Sequence, residues 1–192
     1  VPGGDGGLRL PVLVGEKGSC WCTLRVSGTP GHASLPYGTD NALVTAASVV
    51  QRLADYRPET RIHDTWRQFL AGMALPDEIA APLLDPDRLV DALVGLPIGM
   101  ARQFHACTHT TIAPTVAHGG TKTNVIPDRV DLQLDIRTLP GQTLPEVQAI
   151  LAEALGDLAD RVEMLEAHDD PATRSPADTP LWDTLGRVTQ AF

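Results

Sequence analysis

Aromatic side chains are scarce in this 192-residue chain, at 4% of the total, so Leu, Val, Ile and Ala must fill whatever interior it builds. Lysine is rarer still: Lys17 and Lys122 are the two ammonium groups, and every other permanent side-chain cation is arginine. With a net charge of −9 and no basic cluster, the chain is a poor partner for nucleic acid, whose phosphates demand Lys and Arg. No run approaches the ~18 consecutive apolar residues of a membrane span. Val1 to Gly7 are Gly-rich and lack the basic-then-apolar order of a signal peptide. The three cysteines, Cys20, Cys22 and Cys107, are odd in number and have no framework spacing. That argues against a disulfide scaffold and for reduced thiols in a cytoplasmic setting. Also missing are a G-x-S-x-G elbow, a P-loop and a dinucleotide fingerprint, so nucleophilic and nucleotide chemistry have no visible apparatus. The chain opens on Val1 rather than Met, which reads as processing or as excision from a longer polypeptide.

What is present is an ordinary globular composition, 43% hydrophobic and 20% charged, at a length that suits one domain with a substantial insertion. Cys20, Cys22, Leu24 and Val26 alternate with Trp21, Thr23, Arg25 and Ser27, which predicts a half-buried strand. Gly28-Thr29-Pro30-Gly31 ends it and presents His32. Asp40 or Asn41 can cap a helix whose stripe is Leu43, Ala46, Ala47, Val50 and Leu53, ending near Tyr56 before Pro58. Residues 59–104 read as a helical insertion of short pieces broken by Pro82, Pro86 and Pro97. From Thr110 to His118 the pattern is a strand, and Pro114 inside it requires a sheet edge. Val130, Leu132, Leu134 and Ile136 alternate with Asp131, Gln133 and Asp135 in a second clear strand. Thr143 and Glu146 form a capping box for a helix burying Val147, Ile150, Leu151, Ala154, Leu155 and Leu158. A short strand covers Arg161 to Ala167, and a helix follows around Leu181 to Val188.

Without the insertion, the order is strand–helix–strand–strand–helix–strand. Right-handed crossovers then give an α+β, ferredoxin-like fold: a four-stranded antiparallel sheet with two helices on one face, plus the helical insertion. The expected boundaries are 1–18 for a lead-in segment, 19–168 for the domain and 169–192 for an exit segment.

Three polar residues stand apart from the apolar stripes. His32 sits in a Gly/Pro-shaped loop, Asn124 between a Gly-Gly loop and Val125-Ile126-Pro127, and Arg137 at a strand end before a Pro-Gly turn. Loops on a rigid scaffold carry function. Spacing alone equally allows a loop-stabilising His, a turn-capping Asn and an Arg paired with Asp135. His105, Cys107 and His109 alternate and, on a strand, would share a face that could hold a metal, though a strand opening with polar side chains is the plainer reading. His168-Asp169-Asp170 reads as a solvated turn.

Gly15-Glu16-Lys17-Gly18, then Gly28-Thr29-Pro30-Gly31-His32-Ala33-Ser34-Leu35-Pro36 and Asn41-Ala42, resemble the zinc exopeptidase and amidohydrolase family. That family includes aminoacylase, acetylornithine deacetylase, succinyl-diaminopimelate desuccinylase and glutamate carboxypeptidase. Gly119-Gly120-Thr121-Lys122-Thr123-Asn124-Val125-Ile126-Pro127, Asp135-Ile136-Arg137 and Pro140-Gly141 follow in the family's order, and the likeness spans roughly residues 12 to 192. The resemblance implies the family's lid and dimerisation domain, inserted into a catalytic domain that carries one or two zinc ions. The ligands there are an H-x-D motif, a bridging Asp, a Glu-Glu pair and a late His. This chain has no Glu-Glu pair, so it is expected to hold no metal and to be inactive alone.

By the same resemblance, His32 is the residue that reaches a partner subunit's site and stabilises an oxyanion. Asn124 and Arg137 hold the substrate, with Arg137 clamping a carboxylate. The fold is expected to bring Asn124 and Arg137 to one end of the sheet. The implied partners are the chain's own catalytic domain, a second copy, and a small-molecule or peptide substrate, with neither nucleic acid nor membrane. A free-standing ferredoxin-like binding or dimerisation module is the alternative.

Overall fold

The computed structural model describes residues 12–189; the Gly-rich start Val1–Gly7 lies outside them. In chain order the strands are β1 (Gly15–Glu16), β2 (Gly18–Ser27), β3 (Gly31–His32), β4 (Thr111–Gly119), β5 (Val125–Ile126), β6 (Arg129–Thr138), β7 (Val162–Asp170) and β8 (Thr173–Arg174). The helices are α1 (Ala42–Asp55), α2 (Asp64–Met73), α3 (Asp77–Leu83), α4 (Leu89–Leu93), α5 (Ile98–Thr108), α6 (Leu144–Leu155) and α7 (Pro180–Thr189). None is long and apolar enough to cross a membrane among the described residues. The described residues divide into two compact units, one of residues 18–58 and 110–171, the other of residues 12–17, 59–109 and 172–189.

The first unit is a mixed α+β body. Its four-stranded sheet runs β4-β6-β2-β7 and every neighbouring pair is antiparallel. Period-two alternation explains its layering: Cys20, Cys22, Leu24 and Val26 of β2 meet Val130, Leu132, Leu134 and Ile136 of β6 on one face. Ala46, Val49 and Leu53 of α1 and Val147, Leu151 and Leu155 of α6 close over that face. Asn41 caps α1, its Oδ1 accepting from the Leu43 N–H at 2.9 Å. At α6 the Glu146 carboxylate accepts from the Thr143 N–H at 2.8 Å, the capping-box half that satisfies an otherwise orphaned donor. Pro114, which has no N–H, lies on the edge strand β4 beside a register shift.

α1 is rotated from the expected stripe. Ala42, Ala46, Val49 and Leu53 are buried, while Leu43 and Val44 are 54% and 64% exposed and Ala47 is exposed. The helix carries more apolar residues than one face against the sheet can cover, and the surplus sits on the helix that packs beside β4. β7 also runs further than expected. It takes in His168, Asp169 and Asp170, which therefore lie on a strand and not in a turn.

The second unit contains α2–α5, with a core of Trp66, Leu70, Leu83, Leu89, Leu93 and Phe104. Pro82 marks the end of α3. It is the penultimate residue of α3, which stops at Leu83, because the ring lacks the N–H for the bond to the i−4 carbonyl and crowds that carbonyl. The same unit holds β1 paired with β8 and the helix α7.

The reading of His105, Cys107 and His109 as a strand is overturned: His105 and Cys107 lie in α5 and His109 caps it. The i, i+4 spacing that α-helical geometry brings together stacks the two imidazoles, with centroids 4.0 Å apart and planes 1° from parallel. His109 is buried. Its Nδ1–H donates to the His105 carbonyl at 3.0 Å, and its Nε2 accepts from the Thr60 hydroxyl at 3.0 Å. Lys17 Nζ donates to the carbonyls of Ala106 and His109 at the same helix end. Burial, followed by the neighbouring His105 and Lys17 charges, pushes the His109 imidazole down to about 4. An unfolded His titrates near 6.5, so between pH 6.5 and about 4 the unfolded chain binds more protons than the folded one. Stability is therefore full above pH 6.5 and falls as pH drops through that window, by about 3 kcal/mol in total at roughly 1.4 kcal/mol per unit. Denaturant titrations at pH 7.5 and 4.5 check this: His109→Asn should start less stable and lose less between the two.

Candidate functional site

His32 is positioned by a short detour at one end of the main sheet. Gly28 ends β2 where its N–H donates to the Asp128 carbonyl, and a Cβ there would come within 2.5 Å of the Asp40 carbonyl oxygen and 2.6 Å of the Ala42 nitrogen. Only glycine allows the turn to pack that closely on the start of α1. Thr29-Pro30 then leads into β3, which pairs with β5 in the register His32↔Val125. The Ala33 N–H donates to the Asn124 carbonyl at 3.0 Å. The structure thus brings His32 and Asn124 together, both exposed.

The imidazole of His32 is locally oriented. Its Nδ1 lies 3.2 Å from the Ser34 backbone nitrogen and 2.7 Å from the Ser34 hydroxyl. A backbone N–H can only donate, so Nδ1 acts as acceptor and the ring proton resides on Nε2. The free end of the ring is therefore a donor, the polarity needed to meet a developing negative charge. The loop that carries it also exposes Leu35 and Tyr37, at 72% and 101%.

Arg137 lies elsewhere. It is next to last in β6, opposite Ser19 near the start of β2, whereas Asn124 precedes β6. The expectation that Asn124 and Arg137 share one end of the sheet is thus corrected. Eight residues of extended strand separate Arg137 from Arg129, which is roughly 26 Å. The guanidinium is also partly engaged: Nε and Nη2 donate to the two Asp135 oxygens at 2.7 and 2.9 Å. Asp135 raises the Arg137 pKa further through these bonds, and the Nη1 side of the fork points away from the pair. Towards the other end of the same face, Arg25 makes a bidentate bridge to Asp131 at 2.7 Å for each bond, which holds that carboxyl below its ordinary range.

The guanidinium carbon of Arg137 sits 5.7 Å from the centre of the Trp21 ring, and His168 of β7 faces the same ring at 6.2 Å. Trp21 did not stand out in the sequence, and His168 was read there only as part of a solvated turn. The signal was there for Trp21: a large aromatic on the polar side of an otherwise strict alternation. Among the described residues, no group of three or more His, Cys, Asp or Glu could hold a metal ion.

The fold is an α+β body built on a one-sided antiparallel sheet, with polar residues at both of its ends. The chain belongs to the peptidase dimerisation domain family (M20_dimer), which it matches over residues 14–163. It is 28% identical over 180 residues to the N-fatty-acyl-amino acid synthase/hydrolase PM20D1 of Xenopus tropicalis, covering 91% of this chain and 35% of that protein. The human protein of the same name is 29% identical over 170 residues, with 87% and 33% covered. A probable succinyl-diaminopimelate desuccinylase of Staphylococcus aureus is 22% identical over 183 residues, with 94% and 42% covered. The chain therefore spans about a third of the length of the PM20D1 relatives. In fold it is similar to an M20 family metallo-carboxypeptidase of Sulfolobus solfataricus, with a TM-score of 0.59 at 18% identity, covering 86% of this chain and 40% of that one.

Proposed function

We propose that this domain is the dimerisation and substrate-closing lid of a zinc-dependent hydrolase that cleaves the amide bond of an N-acyl amino acid or small peptide bearing a free carboxylate. The strand order is read as the ferredoxin-like plan. The lid is placed at residues 19–168 with 59–104 as its insertion, and the flanks 1–18 and 169–192 lead to and from a catalytic domain. That domain supplies zinc, which polarises the amide carbonyl and activates water when bound; the chain alone is inactive. The domain's own part is to orient and to donate: His32 Nε2–H to the oxyanion, Asn124 a further hydrogen bond, Arg137 its open edge to the substrate carboxylate. The acyl-amino-acid wording in the names of two relatives supports that substrate class over a longer peptide.

One observation carries the dimeric reading. A single amino-acid derivative cannot span the roughly 26 Å between the His32 end and the Arg137 end of one sheet. Two copies can share one substrate, each contributing an opposite end. The surplus apolar residues Leu43, Val44 and Ala47 on α1, next to the β4 edge with its exposed Val116, offer the surface on which the second copy sits.

Mixed dimers test the arrangement. Homodimers of His32→Ala and of Arg137→Gln in the full-length enzyme are each expected to be severely impaired. A heterodimer of the two rebuilds one complete site if the residues come from different subunits, and should recover about half of wild-type activity per dimer. No recovery beyond the two parents would mean that both residues serve the same site from the same copy, or that the domain does not dimerise.

A further inference from the structure

The outer face of the sheet, opposite the helices, carries one large aromatic residue with no obvious structural duty. Trp21 projects from β2 and is 53% exposed, between the buried Cys20 and Cys22. Asp135 of β6 and His168 of β7 are its cross-strand partners. The ring stands between two polar groups that are themselves held: Arg137 by Asp135, and His168, whose Nε2 lies 3.0 Å from Asp170 Oδ2. Beside it opens a shallow concavity of about 770 Å³, to which Thr23, Gln133 and Glu166 also contribute.

We infer that Trp21 selects the amino-acid side chain of the substrate, favouring bulky uncharged groups, aromatic ones above all. The inference rests on reading Arg137 as the carboxylate clamp. Asp135 occupies the Nε–Nη2 edge of the guanidinium, which leaves the Nη1 side for an incoming carboxylate. A ligand gripped there has its α-carbon and side chain over the neighbouring indole, because the guanidinium already sits against that ring. An exposed indole face offers apolar area and stacking to a flat or branched side chain. Glycine has nothing to place on it. The carboxylate of Glu166 lines the concavity beside the indole, so an acidic side chain there meets like charge. The expected order of preference is phenylalanine and leucine above glycine, with glutamate last.

The test uses the full-length enzyme and N-acyl derivatives of phenylalanine, leucine, glycine and glutamate that share one acyl group. Binding is followed by isothermal titration and turnover by steady-state kinetics. Trp21→Ala should cut the phenylalanine-to-glycine ratio of kcat/KM about tenfold, a discrimination of the size an apolar pocket supplies. The loss should fall on KM and on the measured affinity, and Trp21→Phe should restore most of it. If Trp21→Ala shifts all four substrates by one common factor, or leaves their ratios in place, Trp21 is only a support for Arg137 and the inference fails. Arg137→Gln separates the two levels. If it weakens all four ligands while the ratio survives Trp21→Ala, the clamp stands and the selection is wrong. If it weakens none, or if none of the four binds wild type, the clamp falls and takes the inference with it.

Discussion

Replacing His32 by alanine in the full-length enzyme is expected to lower kcat roughly 10²-fold or more, with metal content unchanged, because one pre-aimed donor to an oxyanion is worth about that much. The structural basis is the Ser34 bonding pattern. The backbone N–H of Ser34 takes Nδ1 as its acceptor and so commits Nε2 to the donor role before substrate arrives. Asparagine at the same position should recover little, since its amide cannot reach as far along the same line. The effect should fall on kcat more than on KM, because the contact strengthens only as negative charge develops. Ser34→Gly is the milder companion. It keeps the backbone donor, loses the hydroxyl contact and should cost a modest fraction of the alanine effect. An unchanged rate in His32→Ala, measured with zinc analysis alongside, would remove the oxyanion role.

The second large effect concerns the helical unit. Trp66→Ala should destabilise it by about 3–5 kcal/mol, the usual range for truncating a buried aromatic. Trp66 is 1% exposed. Its ring meets Phe104 edge-on at 5.1 Å and stacks on Phe69 at 5.7 Å, and its Nε1–H donates to the Leu83 carbonyl at 2.8 Å. Truncation opens a cavity and orphans a buried acceptor at once. The helices around it are short, with α3 and α4 seven and five residues long, and helices of that length depend on packing for their existence. Hydrogen exchange should therefore show α2–α5 losing protection while β2 and β6 keep theirs. Equal loss in both would mean that the two cores melt together. Trp66→Phe keeps most of the volume and should cost far less.

The sheet was legible because its strands are long and one-sided. Residues 20–26 and 130–136 each complete several cycles of alternation, and the paired strands bury the alternate positions. Pro114 carried edge information for a chemical reason, the missing donor. Shorter devices left no such trace. β3 and β5 have two residues each, too few for any period, yet they set His32 beside Asn124. His105, Cys107 and His109 alternate like a strand and stack like a helix, and a three-residue sample cannot separate the two. Pro97 immediately before Ile98, a helix-start signal, could have tipped that reading towards α5. The misplaced pairing of Asn124 with Arg137 had a simpler origin: a residue before a ten-residue strand and one near its end must lie at opposite ends. On α1 the composition was right and the phase was wrong, since a helix rich in apolar residues has more than one acceptable stripe.

Cys20 and Cys22 are packed into the sheet's core, and burial raises both thiols, Cys22 to about 12 with Cys20 as its second cause. Alkylating and oxidising agents attack the thiolate, which these two hardly form near neutrality. Cys107, partly exposed on α5, is then the natural handle for a fluorophore or spin label. A probe attached there would report on the helical unit while Cys20 and Cys22 stay unmodified.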